Sequence, residues 1–157
     1  MQDPRADLLR KLLGSQVVAA LGTLHRGRPA VSMVPFAVSP PSRSLVIHVS
    51  RLATHTKDME AGPAVSVLVV ADRDPTVPPQ ALARLTIAGH ARPCDAAHPE
   101  YAAARSSYLC RFPQSEPMFG FADFSLFLIE PESVRLVAGF AQAWSVGRDQ
   151  YLEALAG

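Results

Sequence analysis

Between Val17 and Trp144 the sequence is cut into short, apolar, β-branched runs, each closed by a cluster of Gly, Pro or Ser. Val17–Leu24 ends in His25-Arg26-Gly27-Arg28, a hairpin turn with Gly27 as the expected left-handed residue. Pro29–Val38 runs into Ser39-Pro40-Pro41-Ser42-Arg43, Ala64–Ala71 into the polar, proline-rich Asp72–Gln80, and Ala81–Arg92 follows. Closely spaced turns with few helical segments between them leave no room for the crossover helices of a parallel sheet. The pattern predicts a mainly β protein with peripheral helices, six or seven antiparallel strands closing into a barrel, in one domain over residues 1–157.

Details refine this expectation. Leu8, Leu9, Leu12 and Leu13 make one apolar face of a helix over Ala6–Leu13 that ends at Gly14. Pro35 cannot donate to a ladder, so it belongs at a sheet edge, at a bulge or against a ligand. The unbroken apolar run Ala64–Ala71 reads as a strand buried on both faces, and Gly89 as a bulge. Asp95–Cys110 is predicted helical with Pro99 near its first turn, and Ser115–Met118 as one helical turn in a loop. Phe121–Ile129 and Ser133–Trp144 read as two strands joined at Glu130-Pro131-Glu132, before a last helix over Asp149–Leu155.

Composition excludes several functions. Lys and Arg are scattered and the formal net charge is +1, which gives a nucleic acid nothing to hold. No apolar run approaches the roughly 20 residues of a membrane span, and the N-terminus lacks the apolar core of a signal peptide. Cys94 and Cys110 have neither metal spacing nor a disulfide framework, and fit a cytoplasmic protein with reduced thiols. There is no dinucleotide or P-loop glycine motif and no nucleophile elbow. The five histidines, His25, His48, His55, His90 and His98, show no metalloprotease spacing, so no metal site is expected.

One stretch concentrates chemistry. Val46–Met59 (VIHVSRLATHTKDM) leaves a strand at Ser50 and gathers Ser50, Arg51, Thr54, His55, Thr56 and Lys57 before a short helix with Thr54 as the expected N-cap. Hydroxyls, cations and free amides at a helix start suit a phosphate dianion. A plain strand–turn–helix connection with a solvated basic face carries the same residue types, and the residues alone leave both open.

Four segments in order resemble one family: Gly27–Phe36 (GRPAVSMVPF), Ile47–Met59 leading to Pro63–Leu68 (PAVSVL), Ala83–Ala91 (ARLTIAGHA), and Tyr108–Trp144 with YLCRFP, GFADFSLF and VAGFAQAW. Together they resemble the pyridoxamine 5'-phosphate oxidase-like, FMN-binding split-barrel superfamily, nearest its haem-utilisation branch. The resemblance implies a homodimer with FMN, or alternatively haem, in clefts at the subunit interface. It implies that Ser32, Met33, Val34 and Pro35 pass along the flavin ring, with His48, Val49 and Ser50 flanking the ring and ribityl chain. Thr54, His55, Thr56 and Lys57 would hold the phosphate, and Arg84 would reach the cofactor from the side. Gln142 and Trp144 would come from the partner subunit. The implied activity is a flavin-dependent oxidoreductase on a small-molecule substrate, with a haem-binding protein or a non-catalytic flavin module as the alternatives. The Arg/His-rich C-terminal segment that selects pyridoxine phosphate is not matched. Haem-handling relatives ligate iron with a histidine late in or beyond the barrel, and none follows His98 here.

Overall fold

The sheet starts from a tight hairpin. In the computed structural model, which describes residues 3–157, β1 (Val18–His25) turns at Arg26-Gly27 into β2 (Arg28–Pro35). Arg26 and Gly27 have φ of 51° and 77°, the paired left-handed residues of a two-residue type I′ turn, so Arg26 shares the role expected of Gly27 alone. β3 (Ala37–Val38) and β4 (Leu45–Ser50) follow, then α2 (Thr54–Ala61), β5 (Ala64–Val70), β6 (Arg84–Pro93), α3 (Tyr101–Arg111), a 3-10 segment (Pro113–Gly120), β7 (Phe124–Gly139), β8 (Gln142–Gly147) and α4 (Arg148–Ala156), with α1 (Pro4–Ser15) ahead of them all. Every pairing is antiparallel, in the order β2-β1-β5-β6-β7-β4-β3, with β8 added on β7. β2 lies against β4 without pairing to it, so the half-barrel is split there.

The inner face holds Leu21, Val67, Val69, Leu85, Ile87, Phe127, Ile129, Val134 and Leu136. Leu9, Leu12 and Leu13 of α1 and the fully buried Tyr151 of α4 close it. Each such side chain removed from water contributes about 1.5–3 kcal/mol. A second cluster, with Val46, Cys94, Ala104, Tyr108, Leu126 and Leu128, packs α3 on the outside of β4 and β7.

Several expectations are corrected. Among the described residues there are eight strands rather than six or seven. The stretch Pro29–Val38 breaks at Phe36, whereas Glu130-Pro131-Glu132 does not end a strand: β7 runs through it. Pro131 is tolerated because it faces Gly89, where the β6–β7 register shifts and the ladder is already irregular. The chain turns instead at Phe140-Ala141, with Ala141 at φ 58°. α3 begins at Tyr101, since Asp95 caps the N–H of Ala97 at 3.0 Å and holds that segment as turns. Thr54 is the first residue of α2, behind Ala53, and makes no capping bond. β5 alternates, with Val65, Val67 and Val69 buried and Ala64, Ser66, Leu68 and Val70 exposed. Its unbroken apolar character therefore marks an outer face of the sheet that is itself apolar.

Candidate functional site

β2 is an edge strand. The Phe36 N–H donates to the Val17 carbonyl at 3.1 Å, so even-numbered residues of β2 turn their backbone to β1 and odd-numbered ones to the open edge. Pro29 and Pro35 both fall in the outward set, which is where a missing donor costs nothing. The open edge offers the N–H groups of Val31 and Met33. The side chains alternate too: Val34 is buried in the core, Met33 is 64% exposed and Pro35 is exposed. The Ser32 hydroxyl is buried without a partner among the described residues.

The Ser50–Lys57 loop folds largely upon itself. Ser50 Oγ donates to Asp123 Oδ2 at 3.2 Å and accepts from the Leu52 N–H at 3.2 Å. Thr56, fully buried, donates its hydroxyl to the Ser50 carbonyl at 2.6 Å. The Arg51 N–H reaches the Asp123 carbonyl. Thr54, Lys57 and Arg51 are exposed and have no side-chain hydrogen bond or ion pair among the described residues. His55 is half-buried; burial lowers its pKa while the charge of Asp58 opposes the shift.

The remaining expected residues lie elsewhere in the subunit. Val49 is in the core beside β4's neighbours. His48 points to the opposite face of β4, stacked on Phe119 at 3.9 Å and edge-on to Tyr108. Burial lowers its pKa to about 4, so it is neutral, and its Nδ1 has no partner among the described residues. Arg84 donates to the Gln80 and Leu82 carbonyls, both at 3.1 Å. It shares a cleft of about 290 Å³ with Arg135, Phe140 and Gln142. Trp144 faces the other way, against α1, with the Arg5 guanidinium 4.9 Å from its ring. Through the register, Arg84 lies in the row of Val70 and Val18, five residues along β1 from Thr23, which α2 touches. At 3.4 Å per residue that is about 17 Å. One subunit thus brings Thr54, His55 and Lys57 together, and Arg84 with Gln142, but does not unite the two groups.

A triad that the residue types alone did not reveal stands behind α2. Asp58, 6% exposed, accepts from Thr23 Oγ1 at 2.9 Å and bonds His25 Nδ1 at 2.7 Å. Thr23 and His25 share a strand face by the two-residue period, which is legible. That Asp58 reaches them is a product of how α2 packs on β1. Asp123, which accepts from the Ser50 hydroxyl, is the second such case.

On the opposite face of the sheet, Val18, Leu24, Val31, Met33, Leu68 and Val70 are exposed together on β1, β2 and β5. Among the described residues no helix is long and apolar enough to cross a membrane.

This architecture and sequence have relatives. The chain is 35% identical over 139 residues to the chloroplastic non-canonical heme oxygenase HOZ of Arabidopsis thaliana, covering 87% of this chain and 41% of that protein. It is 28% identical to the heme oxygenase HutZ of Vibrio cholerae, covering 82% and 72%. The fold superposes on a heme binding protein from Mycobacterium smegmatis with a TM-score of 0.86 at 27% identity, covering 98% of this chain and 62% of that one. The chain thus spans about two-fifths of the plant relative and under two-thirds of the mycobacterial one. Residues 6–138 match the pyridoxamine 5'-phosphate oxidase family, and the chain belongs to it.

Proposed function

We propose that this chain is a haem-binding member of the family, of the haem-utilisation type, working as a homodimer through the apolar outer face of its sheet. The observation that carries this reading is the state of the loop expected to hold a flavin phosphate. The hydroxyls of Ser50 and Thr56 are engaged within the protein, and Arg84 rests on main-chain carbonyls. Two of the expected donors therefore have to break existing bonds before they can serve a phosphate, whereas a flat apolar macrocycle asks for surface instead. Val31, at 77% exposure, Met33 and Leu24 provide it. The names of both curated relatives point the same way.

When bound, haem supplies redox-active iron, and the chain supplies the apolar bed.

FMN is the second reading, with flavin-dependent oxidoreduction of a small substrate as its activity. It is favoured by the open edge of β2 and by exposed Thr54 and Lys57 at the start of α2. Titration of hemin and, separately, FMN into the purified protein distinguishes the two. A shifted, saturable Soret band with weak or no FMN binding is the expected outcome. Tight FMN binding without a Soret shift overturns it.

A further inference from the structure

The C-terminal ends of α1 and α3 meet the β3–β4 turn and the end of α4 around a cleft of about 870 Å³, within the size range of small-molecule sites. None of its lining residues belongs to β1, β2, β5 or the Ser50–Lys57 loop, so it is separate from the surfaces described above. Val38, Pro40, Ala103 and Leu155 give it apolar walls that are partly or fully open to solvent. Its charged residues are Arg10, Arg43 and Arg111, and no Asp or Glu lines it.

The three guanidinium groups differ in what they already hold. Arg111 donates from Nη1 to the Gln16 and Phe36 carbonyls, at 2.9 and 3.0 Å, and from Nη2 to those of Leu13 and Gly14, at 2.7 and 3.2 Å. It thereby closes the carbonyl end of α1 and fixes one wall of the cleft. Arg10 gives Nη1 to Asp7 at 2.8 Å, while its buried Nε has no hydrogen-bond partner among the described residues. The Arg43 side chain has neither hydrogen bond nor ion pair among the described residues. Its backbone is pinned all the same: φ is 57°, and its carbonyl accepts from the buried Tyr151 hydroxyl at 2.8 Å. Glu100, the acid that holds this turn, is taken up by the hydroxyls of Ser39 and Ser42.

Such a cleft selects charge and shape together. Two guanidinium groups with donors to spare call for an anion. Both helices bring their carbonyl ends here, and the partial negative charge of a helix C-terminus disfavours a phosphate dianion. A single carboxylate fits the planar fork of a guanidinium, and the apolar walls suit a body without further polar groups. Ala103, Ser106, Ser107 and Cys110 follow one another at helical spacing along one side of the cleft. Cys110 is exposed there, whereas Cys94 is 1% exposed in the core.

We propose that this cleft binds a monocarboxylic acid with an apolar chain, its carboxylate on Arg43 and Arg10 and its chain along Val38, Pro40, Ala103 and Leu155. The site goes beyond the haem reading and does not depend on it.

The test is alkylation of Cys110 by neutral iodoacetamide, read by peptide mass spectrometry, with octanoate as the probe. Octanoate is expected to slow the reaction saturably, and 1-octanol at the same concentration to leave the rate unchanged. Hexanoate is expected to protect more weakly, by up to about fourfold per methylene removed. Arg10→Gln with Arg43→Gln breaks only the exposed pair with Asp7, so the fold is retained. That variant is expected to need at least about tenfold more octanoate for the same protection. Cys94 is expected to stay unlabelled throughout, which marks the fold as intact in every arm. A Cys110 rate indifferent to octanoate, equal protection by 1-octanol, or undiminished protection in the double variant overturns the proposal.

Discussion

Thr56 donates its hydroxyl to the main-chain carbonyl of Ser50 at 2.6 Å, and in doing so ties the start of α2 to the end of β4. Thr56 is fully buried, so the bond is part of the fold and not a free donor. Thr56→Val keeps the shape and removes one of two bonds to the Ser50 carbonyl, which still accepts from the Ala53 N–H at 3.1 Å, at a cost of about 0.5–1.5 kcal/mol. Thr54→Ala, at an exposed position without a capping bond, is expected to change stability by less than about 0.5 kcal/mol. Urea unfolding of the two variants gives the comparison.

Gly89 allows no side chain. A Cβ there would lie 2.1 Å from the Glu130 carbonyl oxygen, in backbone that cannot swing aside. Gly89→Ala is expected to destabilise by about 1–3 kcal/mol or more and to disturb the β6–β7 ladder. Thermal unfolding and amide exchange at Ala88–His90 measure both effects.

His48 makes stability depend on pH. Its pKa falls from the ordinary 6.5 to about 4 because burial disfavours the imidazolium. Between those values the unfolded chain binds the extra proton and the native one does not, so stability is full above pH 6.5 and declines as pH falls toward 4. His48→Phe keeps the stack on Phe119 and removes the buried Nδ1, which has no partner among the described residues. It is expected to flatten that pH dependence and to be the more stable protein at pH 5, by about 1–3 kcal/mol. Denaturant melts across the range decide this; a slope unchanged in the variant contradicts it.

The outer face of the sheet predicts self-association. Met33→Glu with Leu68→Glu places charge in the middle of the apolar surface, against neighbours on adjacent strands. The wild type is expected to elute as a dimer, and the double variant as a single chain of 16.9 kDa with an unchanged circular dichroism spectrum. Light scattering after gel filtration reads the mass directly.

Much of this fold was legible because its signals are local. The hairpin at Arg26-Gly27, the bulge at Gly89 and the edge position of Pro35 each follow from one residue's backbone chemistry. The misread features depend on neighbours. Pro131 ends a strand in isolation, and is carried through one here because Gly89 sits opposite. Ala64–Ala71 looks doubly buried because the exposed outer face of β5 has nearly the same apolar composition as its core face. Site residues suffered most: Ser50 and Thr56 have the right types for a phosphate, but Asp123 and the Ser50 carbonyl reach their hydroxyls. The Thr23–His25–Asp58 triad joins residues more than thirty positions apart, which no local spacing encodes.

The most direct measurement is native mass spectrometry of the protein after incubation with equal amounts of hemin and FMN. The expected spectrum is a dimer carrying haem and no flavin. A dimer carrying FMN, or a monomer carrying neither, contradicts the account.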